Sequence, residues 1–127
     1  MSKTVGEALK EFSKAVYSLS EMVQEEARTV RENPLSVVPP SNPEITKAAV
    51  RARQATIDLE SVCRGVKPPG QCLLRFMRSM LWAIDRLGTR NSEGNDTYSV
   101  GYKMALAIVI EHLADALYNA VYFDYPS

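Results

Sequence analysis

The sequence predicts an all-α four-helix bundle. Three observations carry that prediction. Apolar residues recur at alternating steps of three and four in four separate segments, prolines and glycines gather between those segments, and no segment shows the period-two alternation of a half-buried strand. At 127 residues, 46% hydrophobic and 24% charged, the chain has the size and composition of one domain, residues 1 to 127, with a core that needs neither metal nor disulfide.

The first helix is expected over about residues 4 to 32. Thr4 followed by Glu7 reads as a capping box, in which the threonine hydroxyl takes the third amide and the glutamate reaches back to the cap amide. Behind it Val5, Leu9, Phe12, Val16, Leu19, Val23, Glu26 and Val30 form one stripe, broken only by Glu26. Asn33-Pro34 ends the helix. Residues 34 to 43 carry four prolines in ten positions, which suits an extended linker and neither helix nor central strand. In polyproline form such a linker spans about 31 Å, against about 43 Å for the helix before it. It would let helix one dock on its own hairpin or on that of a neighbouring chain.

The second helix, about 43 to 65, opens with Asn42 as cap and Pro43 at the first helical position, where a missing amide costs nothing. Its stripe of Ile45, Ala49, Ala52, Thr56, Leu59, Cys63 and Val66 begins with small residues, so a neighbour can come close. Gly65 suits a left-handed helix end and Pro68-Pro69-Gly70 a sharp corner. The third helix, about 70 to 87, then forms an antiparallel hairpin with the second. A polar loop leads to the fourth, about 97 to 123, with Asp96 or Thr97 as cap. Its apolar positions are so numerous that it is expected to be the most buried of the four.

Charge is balanced in total and uneven along the chain. Residues 1 to 33 carry five Lys/Arg against six Asp/Glu, residues 34 to 90 nine against four, and residues 91 to 127 one against five. The charged, amphipathic N-terminus has no apolar leader pattern, and no window is expected to reach membrane-spanning length, so the expectation is a cytoplasmic protein without membrane contact. Two cysteines in such a setting are expected reduced. Cys63 and Cys72 nonetheless flank the corner closely enough for a disulfide, worth up to about 3 kcal/mol by chain entropy.

Catalytic patterns are weak. The lone His112 lacks the lysine and glycine that follow the histidine of phosphotransfer bundles, and is expected to pack against the core. Glu21, Glu25, Glu26, Glu111 and Asp115 bear a superficial similarity to the acidic clusters of helical nucleotide pyrophosphohydrolases. Glu111 and Asp115 are four apart, where that family has E-x-x-D, and no Glu-x-x-His pair serves a di-iron site. No cofactor or metal is expected, and a metal-dependent phosphohydrolase ranks last among the readings.

The strongest lead is the basic middle. Arg75, Arg78, Trp82 and Arg86 share one face of helix three, with Arg64 and Lys67 at its N-terminal corner and Arg90 beyond its end. Guanidinium groups around an indole suit phosphates and an unpaired base. The same residues could instead be core and internal ion pairs. Tyr118, Tyr122, Phe123 and Tyr125 would suit an interface between copies, in which the basic hairpin of one meets the acidic fourth helix of the next. The expectation is a non-enzymatic, multi-copy interaction subunit, a homo-oligomer or part of a larger assembly, touching RNA or single-stranded DNA; a protein-protein adaptor, such as a viral or plasmid accessory module, is the alternative. In outline the bundle resembles the small helical subunits of CRISPR effector complexes, without a shared motif; that resemblance implies copies aligned beside guide and target strands.

Overall fold

The computed structural model describes residues 3 to 32, 43 to 89 and 98 to 125. It holds four helices, α1 (Val5–Glu32), α2 (Pro43–Val66), α3 (Gln71–Gly88) and α4 (Val100–Asp124), and no strand among the described residues. α1 packs on α2 and α4, and α3 packs on α2 and α4, so the helices form a closed ring in chain order. This is the predicted bundle with its α2–α3 hairpin, and α1 sits on its own chain. The proline-rich linker up to Asn42, the proposed caps Asp96 and Thr97, and Arg90 lie outside the described residues.

The α1 stripe is buried as its spacing requires. Phe12, Val16 and Leu19 are wholly enclosed, and Ala27 takes the core position next to the half-buried Glu26. At its start the Glu7 amide donates to Thr4 Oγ1 at 3.1 Å, whereas the Glu7 carboxylate accepts from the Thr4 hydroxyl at 3.2 Å and does not reach back to the cap amide. Ser20 is buried on the same helix. Its hydroxyl lies 2.8 Å from the Ala107 carbonyl and 2.9 Å from Glu111 Oε1, and accepts from Gln24 Nε2, which stitches α1 to α4.

α2 turns Ala48, Ala49, Ala52 and Ala55 into the core, and the small side chains admit a close neighbour. That neighbour is Gly88, where an added Cβ would stand 2.6 Å from Ala49 Cβ. Gly88 is therefore a packing glycine. Gly65, expected as a left-handed stop, is instead helical, since α2 runs on to Val66 before the prolines end it.

The corner is closed by the C-terminal end of the chain. Tyr125 is 3% exposed, its hydroxyl donates to the Lys67 carbonyl at 3.1 Å, and the Lys67 ammonium sits over its ring at 5.0 Å. Cys63 is a buried free thiol there and Cys72 an exposed free thiol. No staple joins them, because Cys63 points into the core and Cys72 to solvent.

α4 begins at Ser99, whose side chain accepts from the Tyr102 amide at 3.2 Å, a few residues later than expected. One turn on, Lys103 is 4% exposed and its ammonium donates to the Leu87 carbonyl at 3.2 Å. With Thr89 donating to the Asp85 and Arg86 carbonyls, this satisfies the end of α3 and places a cation at its negative pole.

Candidate interaction face on α3 and α4

α4 is not the most buried helix. Its buried stripe is Lys103, Ala107, Ile110, Ala114, Leu117 and Val121, with Leu106, Leu113, Tyr118 and Ala120 half-buried beside it. Other large apolar side chains of the helix are exposed: Ile108 at 39%, Val109 at 47%, Tyr122 at 58% and Phe123 at 82%. Ala105 and Ala116 share that outward side, together with His112, which is exposed rather than packed, and Asn119. Contrary to the expectation from sequence, α4 is long and apolar enough by length and composition to cross a bilayer, and just 28% of its most apolar stretch is buried. In a ring of four helices each helix has two neighbours and one inward stripe, so an all-round apolar helix must leave part of its surface uncovered.

Between α3 and α4 lies an open groove of about 400 Å³, lined by Arg78, Ser79, Trp82, Ala83, Leu106, Val109 and Leu113. Phe76, 36% exposed, lies on the same side of α3, one turn before Ser79. Trp82 is half exposed, and the Arg86 guanidinium stacks over its ring at 3.7 Å. Arg75 and Arg78 are exposed and make no ion pair among the described residues. Asp85 would have neutralised this ridge, but Arg53 of α2 holds it, one guanidinium nitrogen lying 3.0 Å from both carboxylate oxygens. The four side chains named from spacing thus form one solvent-facing ridge, along the rim of a groove the sequence reading did not identify.

Other named residues are placed differently. Arg64 pairs with Glu60 at 3.0 Å and Lys67 covers Tyr125, so neither stands free at the corner. Tyr118 stacks on Tyr122 with centroids 6.3 Å apart, and Tyr122 meets Phe123 edge-on at 5.5 Å. Tyr125, expected at an interface, is core. The signal for the groove was present in α4: apolar residues well outside its inward stripe exceed what that stripe can bury.

The carboxylates of α4 are engaged by α1. Glu111 accepts from Ser20 and from Gln24 Nε2 at 3.0 Å, and Asp115 accepts from the Tyr17 hydroxyl. The hydrogen bond to Asp115, with burial and the nearby Glu111, pushes the Tyr17 phenol up to about 12. Burial, with Glu60 adding, pushes the Cys63 thiol up to about 11. Among the described residues no three of His, Cys, Asp and Glu converge to hold a metal ion.

No family model, curated protein or solved structure matches the chain.

Proposed function

We infer that this protein is a non-catalytic interaction subunit whose working surface is the α3–α4 face, with protein as the partner class. The observation that carries the reading is the open apolar groove between α3 and α4 together with the exposed apolar side chains Phe76 and Trp82 of α3 and Val109, Ile108 and Phe123 of α4. An exposed apolar patch rimmed by polar groups is the usual mark of an interaction site. Protein interfaces are enriched in Trp, Tyr, Phe and Arg around an apolar centre. Nucleic-acid surfaces are polar and cationic, and aliphatic side chains such as Ile108, Val109 and Leu113 have little to do there. Glu111 and Asp115 of α4 act as ties to α1, which suits a scaffold better than a hydrolase.

Single-stranded RNA or DNA is the second reading, favoured by one feature, the ridge of Arg75, Arg78 and the stacked Trp82–Arg86 pair. Trp82 is the only tryptophan, so its emission reports on this face directly. A labelled single-stranded RNA titrated across a salt series should leave that emission unchanged. Quenching that weakens steeply with salt, and is lost in Arg75→Ala/Arg78→Ala/Arg86→Ala, would replace the protein reading with the nucleic-acid one.

A further inference from the structure

One wall of the α3–α4 groove is cationic, and neither wall carries an acid along it. On α3, Arg75 and Arg78 are exposed and without an ion pair among the described residues, and Arg86 lies over the ring of Trp82. The one carboxylate of that helix, Asp85, is taken by Arg53. On α4, Glu111 is drawn to α1 by Ser20 and Gln24, and Asp115 by Tyr17, with Lys10 and Lys14 beside it. The remaining α4 carboxylate, Asp124, ends the helix three turns beyond Leu113. What α4 presents to the groove is Leu106, Val109 and Leu113.

The walls also restrict the backbone of whatever enters. Both are α-helices, whose amides and carbonyls bond within the helix and leave no strand edge for an extended peptide to pair with. The polar side chains lining the groove are those of Arg78 and Ser79 alone. A segment buried there must therefore arrive with its own backbone hydrogen bonds made, since an unpaired buried amide or carbonyl is costly. An α-helix meets that condition, and a rod fits the trough between two helices where a flat bilayer does not. From Leu106 to Leu113 the apolar wall runs roughly 10 Å, the reach of side chains at i, i+3, i+4 and i+7 on one face of a partner helix. From Arg75 to Arg86 the cationic wall runs roughly 16 Å, so guanidinium groups stand beyond both ends of that contact. A partner without acids would cover these arginines and leave them uncompensated; carboxylates would pair with them.

Resting on the reading of the α3–α4 face as a protein-binding surface, we propose that its partner is an acidic amphipathic helix, laid along the groove with its apolar stripe on Trp82, Val109 and Leu113 and its carboxylates along α3 against Arg75, Arg78 and Arg86. Apolar burial holds the helix in place. The arginines choose an acidic helix over a basic one of the same shape.

Two synthetic peptides of about five helical turns test this, both with leucine repeating at i, i+3, i+4 and i+7 and no tryptophan, one with glutamate and the other with lysine at the remaining positions. Binding is read from Trp82 emission, and circular dichroism confirms that each variant keeps its helices. Wild type should bind the glutamate peptide at least about tenfold more tightly than the lysine peptide, by a margin that narrows as salt is raised. Arg75→Glu/Arg78→Glu should reverse the preference. Val109→Asp, at an exposed position, should weaken the glutamate peptide at least about tenfold with helicity unchanged. No binding of the glutamate peptide, equal binding of the two peptides, or a preference that survives Arg75→Glu/Arg78→Glu would each overturn the proposal. So would a different occupant: a wild-type dimer in sedimentation velocity that Val109→Asp makes monomeric, or a shift of Trp82 emission on vesicles of equal parts phosphatidylcholine and phosphatidylserine. Equal binding of the two peptides, with Trp82 emission unmoved by RNA, would remove the acidic helix and leave the protein-binding reading standing. Salt-sensitive RNA binding on α3 would remove that reading itself.

Discussion

At the scale of single residues, the environments of the two cysteines decide their chemistry. Cys63 is enclosed by α2 and the folded-back Tyr125, and burial raises its pKa, so the reactive thiolate is scarce and out of reach. Cys72 faces solvent in the first turn of α3. In the native protein at pH 8, one equivalent of a thiol reagent should therefore react quickly, at Cys72, and the second only on unfolding in urea. Absence of any fast-reacting thiol in unreduced protein would indicate the disulfide instead. Lys103 shows the same dependence on surroundings: its ammonium is kept in the core because the unpaired end of α3 supplies an acceptor.

At the scale of elements, α2 and α3 come together closely where Gly88 meets Ala49. Ordinarily a helical Gly→Ala change gains about 1 kcal/mol of propensity. At Gly88 the new Cβ would stand 2.6 Å from Ala49 Cβ, so the two helices must separate. Gly88→Ala should lower stability by about 1 to 3 kcal/mol in urea denaturation, and adding Ala49→Gly should recover part of the loss. If Gly88→Ala is neutral or stabilising, the close approach of α2 and α3 is wrong. Between α1 and α4 the joint is polar, built from Ser20, Gln24 and Glu111 with Tyr17 and Asp115 below. Such a joint fixes register, since Ser20 and Gln24 meet Glu111 at one height and Tyr17 meets Asp115 one turn away.

For the whole molecule, the Tyr17–Asp115 contact sets a pH dependence. The folded state holds the Tyr17 proton to about 12, against an ordinary value of 10.0. A proton bound more tightly in the folded state adds stability that is complete below pH 10 and is lost as pH rises through that window. Tyr17→Phe should be less stable than wild type at pH 7 by about 0.5 to 1.5 kcal/mol, the usual worth of a net hydrogen bond. The gap should shrink between pH 10 and 12, read as the difference in urea midpoints. A constant gap would show that the hydroxyl is not held by Asp115. The same scale separates the charges: the acidic α1 and α4 stand side by side, opposite the basic α2 and α3.

Much of this was legible in the sequence, because it depends on local rules. The stripe from Val5 to Val23 has one solution as a helix, Pro43 can only begin one, and Pro68-Pro69 can only end one. Arg75, Arg78, Trp82 and Arg86 fall on one face by spacing alone. What spacing does not say is which way that face points: Trp82 is half exposed because Met77, Met80 and Ile84 fill the inward side of α3. Tertiary packing also moved Tyr125 from surface to core, turned Cys72 away from Cys63, brought Ala49 against Gly88, and left the outward half of α4 bare. The apolar content of α4 was visible from composition, and its exposure was not, since burial depends on how many neighbours the ring supplies. The sequence by itself determined four helices, their order and their charges. Only the tertiary structure decided which apolar residues find partners within the chain, because that choice is made by all four helices competing for one interior.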